Sequence, residues 1–299
     1  MDGITSLYSL KHLIEEDASS GFWDTYLGYQ FLNEAAIDWT TRTKCIRSTQ
    51  SITTTASTSA YDLNPDYLGL YLMDNSNRFF LKYYDGTNTS FINKCEYSDV
   101  VLANSDYQNL PSRFTVIDKS TLPTRITGTA SANGAASGGE CTLTVAASAF
   151  SDVYPGDNVH NTTDGSTGVV LSKTSNLVLV TALFDGTNND WSTSDAFVIQ
   201  PQARKQMILD PPSLTAGHTI TLYHVQKPAP VYSNYGMFRF DAEVSNALTK
   251  YAAWLYKYRD KDPNYGDKWF QHYENQIGVY NKTVNNTIKK TTFTFSLKA

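Results

Sequence analysis

From Arg125 to Ile199 the chain carries almost no Lys or Arg and is dense in Gly, Ala, Ser and Thr. Short β-prone runs, Cys141 to Ala146, Gly168 to Leu171, Leu177 to Ala182 and Ala196 to Ile199, alternate with Gly-Asp, Asp-Gly and Asn-Asn turns. Strand signals so closely spaced leave no room for intervening helices. The segment 124–200 therefore reads as a small all-β module, barrel-like, inserted into a larger body formed by 1–123 and 201–281.

The two ends of that body carry helical periodicity. Ile4 to Glu16 and Phe22 to about Arg42 read as helices parted by Ser19-Ser20-Gly21. At 100° per residue the second has Leu27, Phe31, Ala35 and Trp39 on one side and Phe22, Tyr26 and Ile37 on another, with Glu34 and Asp38 between. Two apolar faces call for two neighbours, either in the same chain or in another subunit. The clearest period follows Val244. Val244, Ala247, Leu248, Tyr251, Trp254, Leu255 and Tyr258 share a face, and Trp269, Tyr273, Ile277 and Tyr280 mark a further helix after Asp262-Pro263. These two helices are expected to pair antiparallel against the N-terminal ones.

Between the helices, Leu68 to Met73, Phe79 to Tyr84 and Phe91 to Tyr97 read as strands, the last two joined by the hairpin turn Asp85-Gly86-Thr87-Asn88. Lys205 to Asp210 and His218 to Val225 read as another hairpin pair. The expected fold class is thus α+β: a helical bundle from the N- and C-terminal helices, a small antiparallel β-sheet, and the inserted barrel-like module. The segment 282–299 contains Lys282, Lys289, Lys290 and Lys298, no acid, and the alternating Phe293-Thr294-Phe295-Ser296-Leu297. It reads as an extended arm that pairs either with its own sheet or with a partner.

Composition excludes several classes. A chain of 299 residues buries a sizeable core without staples, and 20 Tyr, 14 Phe and 5 Trp against 18% charged residues are the reverse of a disordered composition. The net charge of −5 opposes a broad grip on nucleic acid or anionic lipid. Cys45, Cys95 and Cys141 are odd in number and lack CxxC spacing, so they read as reduced thiols of a protein made in the cytoplasm. The N-terminal residues do not read as a secretory signal and no apolar run reaches spanning length, so no membrane partner is expected.

Catalytic patterns are missing. His12, His160, His218, His224 and His272 show no HExxH spacing, and Gly134-Ala135-Ala136-Ser137-Gly138-Gly139 lacks the Lys-Ser/Thr of a phosphate-binding loop. Asp152, Asp157, Asp164, Asp185, Asp190 and Asp195 lack EF-hand or RTX spacing and read as turn formers. No enzyme, metal or cofactor is expected.

The order of features resembles the head-to-tail adaptor (head completion, or connector) proteins of tailed bacteriophages. The residues concerned are Leu32-Asn33-Glu34-Ala35-Ala36-Ile37-Asp38-Trp39, Ala60-Tyr61-Asp62-Leu63-Asn64-Pro65-Asp66-Tyr67-Leu68 and Ile208-Leu209-Asp210-Pro211-Pro212. They continue through Ile220-Thr221-Leu222-Tyr223, Lys227-Pro228-Ala229-Pro230, the helix Asn246 to Leu255, and Lys261-Asp262-Pro263. The resemblance spans roughly 1–123 and 200–282; the insertion departs from the shortest members. It implies a virion protein of the head–tail junction: a homo-oligomeric ring, typically a dodecamer, between the portal and the next tail or neck protein. Double-stranded DNA would pass through its lumen without specific binding.

On that reading Phe22, Tyr26, Leu27, Phe31, Ile37 and Trp39 are subunit-interface candidates. Glu34 and Asp38 are channel-facing acids, and Lys289, Lys290, Phe293, Phe295, Leu297 and Lys298 form the portal-binding arm. A second reading makes the chain a carbohydrate-binding or capsid-decoration protein acting through the inserted module, by its aspartates and Trp191. A third is a hydrolase using Glu34 and Asp38 as an acid pair.

Overall fold

The computed structural model describes residues 1–15, 23–71, 80–101, 109–259 and 263–289. In chain order the elements are α1 (Gly3–Glu15), α2 (Thr25–Thr43), β1 (Arg47–Thr53), β2 (Ala60–Asp62), β3 (Tyr67–Leu70), β4 (Phe80–Tyr84), β5 (Thr89–Lys94), α3 (Tyr97–Val101) and β6 (Arg113–Asp118). Next come β7 (Ile126–Thr129), β8 (Cys141–Thr144), β9 (Asn158–Asn161), β10 (Ser166–Ser175), β11 (Val178–Phe184) and β12 (Ala196–Gln200). The chain continues through β13 (Lys205–Asp210), β14 (Thr219–Gln226), α4 (Ala242–Arg259) and α5 (Pro263–Lys289). It divides into two compact units, 1–43 with 234–299, and 44–233.

In the helical unit, three helices begin on an aspartate that caps a free backbone N–H. Asp2 Oδ1 accepts from Thr5 N at 2.8 Å, Asp24 Oδ1 from Leu27 N at 3.1 Å, and Asp241 Oδ1 from Val244 N at 2.8 Å. The Thr5 bonds hold the Asp2 carboxyl below its usual value. Aromatic rings fill the centre. Tyr273 lies 4.7 Å from Tyr251 and 5.8 Å from Trp39, and Trp39 meets Tyr280 at 5.5 Å. The expected α4–α5 pairing is present; α4 packs on both α1 and α2, and α5 on α2. Helix α4 is packed by all three, so Ser245, Thr249 and Lys257, off the apolar face read from the sequence, are buried, while Tyr258 on that face is exposed.

The second unit contains two sheets. The larger has eight strands in the order β1-β14-β4-β5-β6-β13-β2, with β3 also on β14; every pairing is antiparallel except β5 with β6. Alternating residues point inward, among them Leu81 and Tyr83, Ile92, Phe114, Met207 and Leu209, and Ile220 and Leu222. The sheet curls far enough for its ends to meet through one side chain. Gln50 of β1 donates to the Asp62 carbonyl at 3.2 Å and accepts from Asn64 N at 3.0 Å, just past β2.

The inserted module is a six-stranded sheet, β7-β12-β9-β10-β11-β8, around Leu143, Phe150, Val159, Leu179, Trp191, Phe197 and Ile199. Bulges between Val170 and Ser172 and between Lys173 and Ser175 bend β10, and Ser131 N on Thr144 O at 2.7 Å ties the chain after β7 to β8. Strands β10 and β11 approach so closely at Gly168 that a Cβ there would lie 1.7 Å from the Ala182 carbonyl oxygen, which is why a side chain is excluded.

The expected fold class needs correction. The chain is mostly β, with its strands in two strongly curved sheets and its helices in the minority; it is not a helical bundle carrying a small sheet. Strands such as β1 (Arg-Ser-Thr-Gln-Ser-Ile-Thr) bury little beyond Ile52 and so give no apolar alternation to read. Strands β13 and β14 are not a hairpin: β13 pairs with β6 and β2, and β14 with β1, β4 and β3. Helix α5 runs to Lys289, so 282–289 is helical where an extended arm was expected. Among the described residues no helix is long and apolar enough to cross a membrane.

Candidate functional site

The α2 candidates divide by burial. Trp39 is 2% exposed and belongs to the unit's own core, whereas Tyr26, Leu27, Phe31 and Ile37 are half-buried, with Phe31 edge-on to Tyr256 at 5.6 Å. Helix α2 packs against α1, α4 and α5, so its two apolar faces find much of their cover inside the chain. Phe22 lies outside the described residues, as do Lys290, Phe293, Phe295, Leu297 and Lys298; the backbone of Lys289 closes α5.

Of the two acids, Glu34 is exposed and Asp38 is engaged. Asp38 Oδ2 accepts the Tyr273 hydroxyl at 2.8 Å and lies 3.5 Å from Arg42 Nη1. Arg42 in turn grips Glu274 with two bonds of 2.5 and 2.6 Å. The cluster bolts α2 to α5. Burial, reinforced by Asp38, raises the Tyr273 pKa, and the Arg42 bonds lower that of Glu274. Glu34 thus faces solvent, while Asp38 is held by Tyr273 and Arg42.

In the module, Trp191 is 1% exposed, its Nε1 donating to Thr181 Oγ1 at 2.9 Å, so it offers no ring for stacking on a sugar. The aspartates organise turns. Asp157 accepts from Tyr154 N and Gln202 N at 2.9 Å each, Asp164 from Ser166 N at 2.7 Å, and Asp195 from Ser192 N and Asn161. Among the described residues no group of three or more His, Cys, Asp or Glu side chains is placed to hold a metal.

Two surface features were not legible in the sequence. In the helical unit, Phe238 N bonds Met1 O, Gly3 N bonds Gly236 O and Asp2 bridges Met237, so the segment before α4 lies along the start of α1. This gathers Ile4 (38% exposed), Tyr8 (66%), Tyr235 (66%) and Met237 (63%) beside a groove of about 290 Å3 lined by Leu7, Lys11 and Trp23. Tyr235 and Met237 lie outside any periodic segment, so nothing local in the sequence places them beside Ile4 and Tyr8 of α1.

The second feature is a cleft of about 240 Å3 where the module meets the larger sheet. It is lined by Asn64-Pro65-Asp66, Tyr154-Pro155 and Gln226 to Pro230. Lys227 Nζ donates to Gln202 Oε1 at 3.0 Å, and burial lowers its pKa while raising that of Asp157. Neither cavity contains a nucleophile paired with a base.

No model of a known protein family matches this chain, and no curated protein matches it.

Proposed function

We propose that the chain is a ring-forming adaptor of the head–tail junction of a tailed phage, seated between the portal and the next tail or neck protein. On this reading it is a structural protein of the virion, and DNA crosses the ring without being gripped. The observation that supports this best is the exposed set Ile4, Tyr8, Tyr235 and Met237 on the helical unit. Aromatic and Met side chains are enriched at the cores of protein interfaces, and a ring repeats one heterologous contact that needs such a patch on each copy. The net charge of −5 fits a lumen through which DNA slides. Replacing Tyr8 and Met237 together by Asp is expected to leave the fold intact and to abolish both self-assembly and co-purification with the portal. Undiminished assembly of this variant would overturn the reading.

A further inference from the structure

His224 is 1% exposed, and neither of its ring nitrogens has a hydrogen-bond partner. Its Nε2 lies 3.8 Å from Asp66 Oδ1, which is likewise buried and without a partner, and its ring lies 5.7 Å from that of Tyr67. Buried polar atoms left unpaired are rare and costly, so a group of them at one place calls for an explanation.

The place is a fork in the sheet. Along one edge of β14 the partner is β4 as far as Leu222, which faces Leu81, and β3 from His224, which faces Leu70. The register shifts at a bulge between Val225 and Gln226, and the pairing with β3 closes where Gln226 faces Tyr67. Among the described residues β3 pairs only with β14. The turn before it is fastened by Lys227 N on the Asp66 carbonyl at 2.7 Å and Gln226 Nε2 on Asp66 Oδ2 at 2.8 Å.

We propose that His224 is an acid-operated latch: uncharged and buried it holds β3 and the Asn64–Asp66 turn on β14, and its protonation frees them. A buried imidazolium loses hydration that one half-exposed carboxylate beyond hydrogen-bond distance does not replace. The charged or titratable groups around it are Asp66 and Tyr67 from the turn and β3, Tyr223 on β14, Lys227 just past its end, and Arg47 on β1, opposite Val225. On β1, Ser48 faces His224 itself. Burial outweighs Asp66 and lowers the His224 pKa from 6.5; the Leu222 carbonyl favours the charged ring without meeting hydrogen-bond geometry. A His whose folded pKa lies below its unfolded value contributes stability that is complete above 6.5 and is lost as pH falls below it.

Amide hydrogen exchange of the full chain between pH 7.5 and 5.0 tests the latch. Protection at Gly69 and Leu70 is expected to fall by up to about tenfold per pH unit below 6.5, while Leu81 and Ile92 in the same sheet keep theirs. In His224→Leu the fall should disappear. In Asp66→Asn, where the imidazolium has no counter-charge, it should continue to lower pH than in the wild type, and this variant decides the matter should His224→Leu not fold. Flat protection in the wild type, an unchanged fall in His224→Leu, or an Asp66→Asn profile identical to the wild type would overturn the proposal.

Discussion

Tyr273→Phe removes one oxygen atom from the helical unit and leaves the ring against Trp39 and Tyr251 in place. What disappears is the 2.8 Å bond to Asp38 Oδ2. A hydrogen bond to a charged group contributes about 1.5–3 kcal/mol. Because the Asp38 side chain is 32% exposed and water can replace part of the bond, the expected loss is about 1–2 kcal/mol. Urea unfolding followed by far-ultraviolet circular dichroism reads it, since α1, α2, α4 and α5 all belong to this unit and dominate the helical signal. In a double-mutant cycle with Asp38→Asn the two losses should overlap by about 1 kcal/mol. Losses that add to within about 0.3 kcal/mol would refute the claim that Asp38 fastens α2 to α5 and return it to the list of free surface acids.

Acidification should loosen the neighbouring pair: with Glu274 held by Arg42 below its ordinary 4.5, the contribution is present above that value and is lost as pH falls through the lowered one. Its size should stay under about 1 kcal/mol because both partners are partly exposed, measured as the difference in acid unfolding between wild type and Glu274→Gln. Trp191→Ala should destabilise the module by about 3–5 kcal/mol, seen as early loss of its exchange protection, whereas glycan arrays with the intact chain should show no dependence on this residue. Burial pushes the Cys141 thiol up to about 11, so thiol reagents at pH 8 should label half-buried Cys45 readily and Cys141 only after denaturation, as mass mapping of the labelled peptides would show.

What could be read from the sequence is what local physics writes there. The period of Val244, Ala247, Leu248 and Tyr251 located α4, Asp85-Gly86 located the β4–β5 hairpin, and the turn-rich stretch after Arg125 located the module. Strand partners were another matter. Lys205 to Asp210 and His218 to Val225 look like a hairpin, but sheet order is decided by distant strands: β6 and β2 claim β13, and β1 and β4 claim β14.

The same limit applied to the candidate site. Two apolar faces on α2 were legible, but not that α1, α4 and α5 cover much of them, nor that Tyr8, Tyr235 and Met237 stand exposed on the same unit. Trp191 looked available beside its turn and proved central to the module's core, because a turn residue can point into a core that only the curved sheet creates.

A ring of this chain requires a neighbouring copy to cover the exposed surface of the helical unit. Native mass spectrometry of the full chain, alone and with the portal, measures this directly: it should yield one closed oligomer in which Tyr8, Tyr235 and Met237 are protected from labelling. A monomer at every concentration, unaltered by the portal and with those three side chains labelled, would contradict it.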